Sequence, residues 1–337
     1  MEAITRIKND NLFLDPAANR KEILRDVIKS YLSTIDPFSA YLSHEEYIKF
    51  KDSLNEEYAG IGMEIEKSVN GEFVCFPYPG SPAEQAGIKS GDRLKSINNI
   101  PVKGKSLFNV AALARDKIGT RIALAVITGN GVETAVNIMR SNVKIKEVFR
   151  QQFGDFGVIS ILSFTKNTKG EVRSIINNWE KKKPIIFDLR NNSGGDLHAA
   201  IDSAMLFLEN EKPVVTVKSR SGLKTYESAN QAVNLTSPLY LWQNESTASA
   251  AEVFIAALTQ NHRAVSIGKT TFGKDTKQDI IELSDGSALV LTTGYFLTPN
   301  GTEYQGHGLA PTYPLEKEHP QTEDYLAKLR KVITIRE

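Results

Sequence analysis

The chain has little of what usually announces a metal, a disulfide scaffold or a membrane. One of its 337 residues is cysteine, Cys75, which rules out an internal disulfide framework and any multi-cysteine metal site. Its five histidines, His44, His198, His262, His307 and His319, form no H-E-x-x-H or H-x-H pair, so a zinc hydrolase is not expected, nor any metal or cofactor. No run of 18 apolar residues is present, so no membrane span is expected. Excess charge is missing too. Lys+Arg number 41 against Asp+Glu 40, net +1, which argues against nucleic acid or an anionic membrane as the main partner. The first residues, MEAITRIKNDNLFLD, lack the apolar centre of a secretory signal, so the chain reads as cytosolic or as a mature or trimmed form.

What is present is a core-forming composition, 41% hydrophobic, in a chain long enough for two or three domains. Residues 1–57 read as helical. Ile23, Leu24, Val27, Ile28, Tyr31, Leu32 and Ile35 recur with a period near 3.6, "DPFSAY" (36–41) breaks that helix, and Ser43 with Glu46 caps another to about Glu57. Residues 58–140 read as one small domain of short strands and two helices. One of those helices is written out in "SPAEQAG", with Ser81 at the cap, Pro82 at the first helical position and Gly87 at the stop. Residues 141–314 alternate buried-looking strands ("GVISILSF", "PIIFDLR", "PLYLWQN", "RAVSIG") with helices, the pattern of a mainly parallel sheet. "KQDIIELSDGSALVLTTGYFL" reads as a hairpin, and the charged tail, 315–337, as helical at its end.

Three stretches could carry chemistry. In "NESTASAAEVFIAAL" (244–258), Ser249 and Glu252 fit a capping box, an ordinary helix start. The alternative is a nucleophile at a helix N-terminus, where free N–H groups and the helix dipole favour developing negative charge. "DLRNNSGGDL" ends a buried strand and brings Gly194 and Gly195 before a helix, where backbone N–H groups can approach an oxyanion; an ordinary strand-to-helix turn is the plainer reading. "TTFGKDTKQ" supplies Lys274, a base for serine if burial lowers its pKa, or else a solvated surface lysine. Histidine candidates are poor. His262 lies roughly 20 Å along the helix that Ser249 begins, which leaves His198.

Taken together, Ser249 in T-A-S-A-A-E, Lys274 twenty-five positions on in F-G-K and Gln278 four further resemble the carboxyl-terminal processing, or tail-specific, serine proteases. "DPFSAY", "DLRNNSGG" and "SDGSALVLTTGYFLTPNGTEYQGHGLAP" match that family as well, so the resemblance runs from about residue 10 to 314. It implies a multidomain α/β protein: a helical N-terminal region, a PDZ-like domain and a crotonase- or Clp-protease-like α/β catalytic core. It implies Ser249 as nucleophile, Lys274 as base, Gln278 positioning the lysine, and an oxyanion hole from Ala250 with Gly194 or Gly195. Gly60-Ile61-Gly62-Met63 matches the PDZ carboxylate-binding loop, where successive N–H groups can capture a chain terminus and the next strand can accept a peptide.

The implied function is a serine endopeptidase that cuts protein substrates near free C-termini, without cofactor and outside the cytoplasm, with an adaptor protein as a candidate further partner. Related folds that bind without cutting supply a second reading, a tail-binding protein. The chain departs from the family at Ala251, Ser193, Thr312 and Asp275. Asp275 matters most, because a carboxylate beside Lys274 would favour the charged amine. Lys274 and Gln278 would also lie ~13 Å apart on one straight strand, so the chain must bend if they are to touch.

Overall fold

Alternation along the buried strands decides how the core is built. On Leu239–Gln243, Leu239 and Leu241 enter one hydrophobic cluster while Tyr240 and Trp242 enter another, as a period of two requires. The computed structural model describes residues 2, 5, 6, 20–52, 59–68, 70–142, 146–318 and 320–336. It sets this strand inside a six-stranded sheet in the order 148–153, 156–161, 185–188, 239–243, 264–268, 313–314. The first pair is antiparallel and the rest are parallel. Parallel neighbours need crossovers. The helices Thr168–Asn177, Leu197–Ala204 and Ala250–Gln260 supply them and cover one face. The C-terminal helix Thr322–Arg336 covers the other, burying Tyr325, Leu329 and Val332 in the cluster that holds Trp242 and Ile267. This is the expected mixed α/β core.

The 250–260 helix is too apolar to face water because it does not. Every residue from Ala250 to Leu258 is buried, and the Phe254 ring lies 5.5 Å from both Phe164 and Phe187. Full burial of one such side chain contributes about 1.5–3 kcal/mol, so the helix has one seat and its N-terminus one direction.

A separate sheet joins Met63–Lys67, Phe73–Pro77, Arg93–Ile97, Arg121–Ile127 and Glu133–Met139 in that spatial order, around a core that includes Phe73, Cys75, Ile88, Val110 and Leu124. Its helices are Pro82–Gln85, capped by Ser81 as the sequence spells out, and Leu107–Ala114. The two-residue strands 59–60 and 141–142 pair with each other, so the chain enters and leaves this unit at one place.

The N-terminal region corrects the reading of 1–57 as wholly helical. Helices Arg20–Ile35 and His44–Asp52 form, and the Ser43–Glu46 box closes at 2.7 and 3.3 Å. Between them Ala40–Leu42 is a strand, paired antiparallel with Ala288–Val290. Residues 53–57 lie outside the described residues. The second sheet thus runs 40–42, 288–297, 213–219, 222–227, with 276–282 also paired to 288–297 as the expected hairpin. The periodic face of the 20–35 helix is mostly unburied: Val27, Tyr31 and Ile35 are 51%, 66% and 57% exposed, and of that face only Leu32 is fully buried. The period made the helix, but the fold offers it only a narrow seat. No helix among the described residues is long and apolar enough to cross a membrane.

These two helices predict opposite responses to truncation. Phe254→Ala should lower unfolding free energy by about 3–5 kcal/mol, and Tyr31→Ala by about 0.5 kcal/mol or less. Denaturant titration of both variants checks this; comparable losses would mean that the 20–35 helix is packed as the core is.

Candidate active site

The candidate site lies at the carboxyl ends of two adjacent parallel strands, 185–188 and 239–243, where α/β sheets gather their ligands. The loops that follow are laced together. Asn191 and Asn244 exchange hydrogen bonds at 3.0 and 2.8 Å, the Thr247 hydroxyl donates to the Leu189 carbonyl at 2.9 Å, and the Ala248 N–H donates to the Asn192 carbonyl at 2.9 Å. Ser249 ends the second loop with φ 54° and ψ −120°. A non-glycine residue avoids that conformation unless its surroundings impose it, and such strain gathers at functional sites. It sets Ser249 at the turn into the buried 250–260 helix, as in strand–turn–helix nucleophile elbows.

Gly194 packs directly against that turn. A Cβ at 194 would lie 2.8 Å from the Ser249 Cβ and 3.0 Å from the Ala250 nitrogen, and its φ of 116° already favours glycine. The two glycines differ in their donors. The Gly194 N–H is committed to Asn192 Oδ1 at 2.8 Å. The N–H groups of Gly195 and Ala250 have no protein acceptor among the described residues.

Glu252 is more than the cap its position suggests. It is fully buried, and its carboxylate accepts the Ser249 N–H at 2.8 Å. It also accepts the Thr271 hydroxyl at 2.5 Å, the Gly273 N–H at 2.7 Å and the Lys274 N–H at 2.9 Å. Thr271 itself accepts the Leu309 N–H, so its proton is free for Glu252. One carboxylate therefore joins the backbones of Ser249 and Lys274. Burial raises its pKa from 4.5 to about 7, against the pull of these four donors.

The side chains of the expected trio are not joined. Among the described residues no hydrogen bond links Ser249, Lys274 and Gln278. The Lys274 ammonium, in a side chain only 10% exposed, pairs with Glu66 on the 63–67 strand and sits 5.9 Å from the centre of the Phe38 ring. Gln278 donates to the Thr292 hydroxyl at 3.3 Å, which donates in turn to Asp36 of "DPFSAY" at 3.1 Å. The strand shifts register between Lys277 and Gln278. Asp275 turns away from the amine: its carboxylate accepts the N–H groups of Tyr304 and Gln305 at 3.0 and 2.9 Å. His198 is exposed and meets the Tyr226 ring edge-on at 5.6 Å.

Gly60, Ile61 and Met63 line a cleft of about 600 Å³ between the 63–67 strand and the 107–114 helix, and the same cleft reaches Ser193 and Gly195. Gly62 precedes the strand, and its carbonyl accepts the Tyr78 N–H. Glu66, Asn192 and the second role of Glu252 were not expected from the sequence. Only the S-x-x-E spacing marked any of them.

Comparison with known proteins places the chain in a family. Residues 155–315 match the description "Peptidase family S41" and residues 73–128 match "PDZ domain". A CtpA-like serine protease of Staphylococcus epidermidis is 36% identical over 280 residues, covering 82% of this chain and 57% of that one. The carboxy-terminal processing protease CtpA of Bacillus subtilis is 33% identical over 299 residues, 88% of this chain and 64% of that one. The chain thus spans about three fifths of these relatives' length. The solved structure of a photosystem II D1 C-terminal processing protease superposes with a TM-score of 0.81 at 25% identity, covering 93% of this chain and 86% of that one.

Glu252→Gln is the variant this geometry singles out, because it puts an NH₂ group among four donors. We expect the reactivity of Ser249 toward an active ester to drop roughly 100-fold, the size of effect a small misplacement produces. In the unmodified chain that reactivity should fall as pH drops through about 7, where Glu252 gains its proton. Stability should move the other way. The folded pKa lies above the unfolded 4.5, so the native state holds an extra proton between 4.5 and about 7, and this group's contribution declines as pH rises through that window. Ester kinetics and thermal melts across pH check both; full reactivity in the Glu252→Gln variant would show that the clamp is dispensable.

Proposed function

The chain belongs to peptidase family S41, with a PDZ domain ahead of its peptidase core, and from that premise we propose that it is a serine endopeptidase acting near the C-termini of protein substrates. The observation that carries this reading is the strained Ser249 at the mouth of a buried helix, tied through Glu252 to the backbone of Lys274.

The chemistry follows from these groups. Neutral Lys274 takes the Ser249 proton as Oγ attacks the scissile carbonyl. The N–H groups of Gly195 and Ala250 stabilise the oxyanion; Gly194 shapes the turn, because its own N–H serves Asn192. Lys274 then protonates the departing amine. A water, deprotonated by the same lysine, then attacks the acyl carbonyl, and the lysine returns that proton to Ser249 Oγ as the ester bond breaks and the acid leaves. Neither metal nor cofactor enters this scheme. Gln278 orients the amine once it leaves Glu66. That departure is required, because an amine held on Glu66 does not reach the Ser249 hydroxyl.

The substrate class rests on the PDZ unit. Among the described residues, strand 63–67 is the end strand of its sheet, paired on one side only, with the cleft beside it. A substrate tail adds there as a further strand, its carboxylate on the N–H groups of Gly60 to Met63. The cleft's continuation to Gly195 supports delivery of that tail to Ser249. "Carboxy-terminal processing" in the names of the relatives agrees with this, and by the same resemblance the protein acts outside the cytoplasm. The Glu66 pairing favours a second reading, a tail-binding protein in which Lys274 is never released.

Incubation with a disordered protein such as casein separates the two. We expect the unmodified chain to cut it, Ser249→Ala to abolish cutting while remaining folded, and Lys274→Arg to be as inactive as Lys274→Ala, since arginine does not deprotonate at usable pH. Substantial turnover by the arginine variant would place the base elsewhere. No cutting by the unmodified chain would favour the tail-binding reading.

Amidation of the substrate should matter as well. Removing the terminal charge costs about 1.5–3 kcal/mol of charge-assisted hydrogen bonding, so an amidated peptide should bind roughly 10- to 150-fold more weakly than its free acid. Equal binding of the two forms would rule out carboxylate capture.

A further inference from the structure

The end strand of the PDZ unit sorts its side chains in a way that the tail-binding reading does not use. Met63 lies in the PDZ core and Ile65 packs against it. Glu64 and Glu66, on the alternate positions, point to the other face, toward the peptidase core. There the Tyr78 hydroxyl donates to Glu64, and Glu66 holds the ammonium of Lys274. Glu64 is occupied, and desolvation raises its carboxyl to about 7. Glu66 is the one that already takes a cation.

A tail added to this strand has a fixed register. Its carboxylate on the Gly60–Met63 loop puts the last residue opposite Met63. An antiparallel strand then sets the penultimate residue opposite Glu64, the third from last opposite Ile65 and the fourth from last opposite Glu66. Residues directly opposite in an antiparallel pair share a face. The last and third-from-last side chains therefore meet the apolar wall that includes Ile65, Leu107 and Ala111. The fourth from last meets Glu66.

We propose that Glu66 is a specificity-determining residue that selects tails with lysine or arginine fourth from the end and an apolar residue last, the tail's cation displacing Lys274 from the Glu66 carboxylate. This rests on the reading of the cleft as a tail-binding site. The exchange is of like for like, one cation for another, so the carboxylate is never left bare. It leaves the Lys274 amine in a largely buried slot against Phe38, released from Glu66. A basic residue in the substrate would then both strengthen its own binding and free the Lys274 side chain from Glu66. Glu64 and Glu147 also border the cleft, but neither holds Lys274.

The test uses the full chain and a set of peptides with one apolar last residue and lysine, alanine or glutamate fourth from last. Binding is read on the Ser249→Ala chain and cleavage on the unmodified chain. We expect the lysine peptide to bind about tenfold tighter than the alanine peptide and the glutamate peptide to bind weakest, a span typical of partly desolvated charge pairs. In Glu66→Gln the preference should vanish. A role for Glu66 in folding alone would leave the peptide preference of the folded variant unchanged. Equal binding of lysine and alanine peptides, or a preference that survives Glu66→Gln, overturns the proposal. If free-acid peptides of every sequence fail to bind, the tail-binding reading falls and this inference falls with it.

Discussion

Glu252 accepts hydrogen bonds from Ser249 on one loop and from Thr271, Gly273 and Lys274 on another, and it is sealed from water while doing so. The other features of the site depend on that arrangement. The loops belong to different elements: one leaves strand 239–243, the other follows strand 264–268 and leads to strand 276–282. Nothing local would keep them in register. A buried carboxylate with four donors does so, because any relative shift would leave a charge unsatisfied in a low-dielectric interior. The apolar burial of the 250–260 helix supplies the rigid side of the clamp, and the close approach of Gly194 to Ser249 completes it.

The second organising feature spans two units of the fold. Lys274 and Glu66 are 208 positions apart in sequence, yet their side chains form an ion pair. In that pair the Lys274 side chain is held on Glu66 and makes no bond to Ser249, whereas the proposed chemistry needs it at the serine. The same contact that holds the lysine in a defined place thus withholds it as a base. On the proposed reading, release of the amine depends on what occupies the cleft beside strand 63–67, which would make the PDZ unit part of the chemistry and not only a tether.

Much of this was legible in the sequence, for a physical reason in each case. Ser249 stood before a run too apolar for a surface helix, and the structure buries that run completely. Ser81-Pro82 and Ser43–Glu46 wrote out helix starts whose bonds are local. The strand–helix alternation of 141–314 gave the parallel sheet. What could not be read depended on distant partners. The burial of a helix face depends on what lies opposite, so the periodicity of Val27, Tyr31 and Ile35 did not reveal that they face solvent. The short strand 40–42 exists only because 288–290 lies beside it. Gly194 and Gly195 look alike in sequence and differ because Asn192 folds back onto one of them. The concern over Asp275 dissolves for the same kind of reason: its carboxylate is drawn to the N–H groups of Tyr304 and Gln305 and away from the neighbouring amine.

The central claim is that Ser249 is a nucleophile whose reactivity comes from Lys274. Its most direct test is covalent labelling of the full chain with a serine-directed fluorophosphonate, followed across pH by mass spectrometry of the digested protein. The account predicts one adduct, on the peptide that carries Ser249, forming faster as pH rises and suppressed in Lys274→Met. An adduct on another serine, or labelling of Ser249 at an unchanged rate without Lys274, would contradict it.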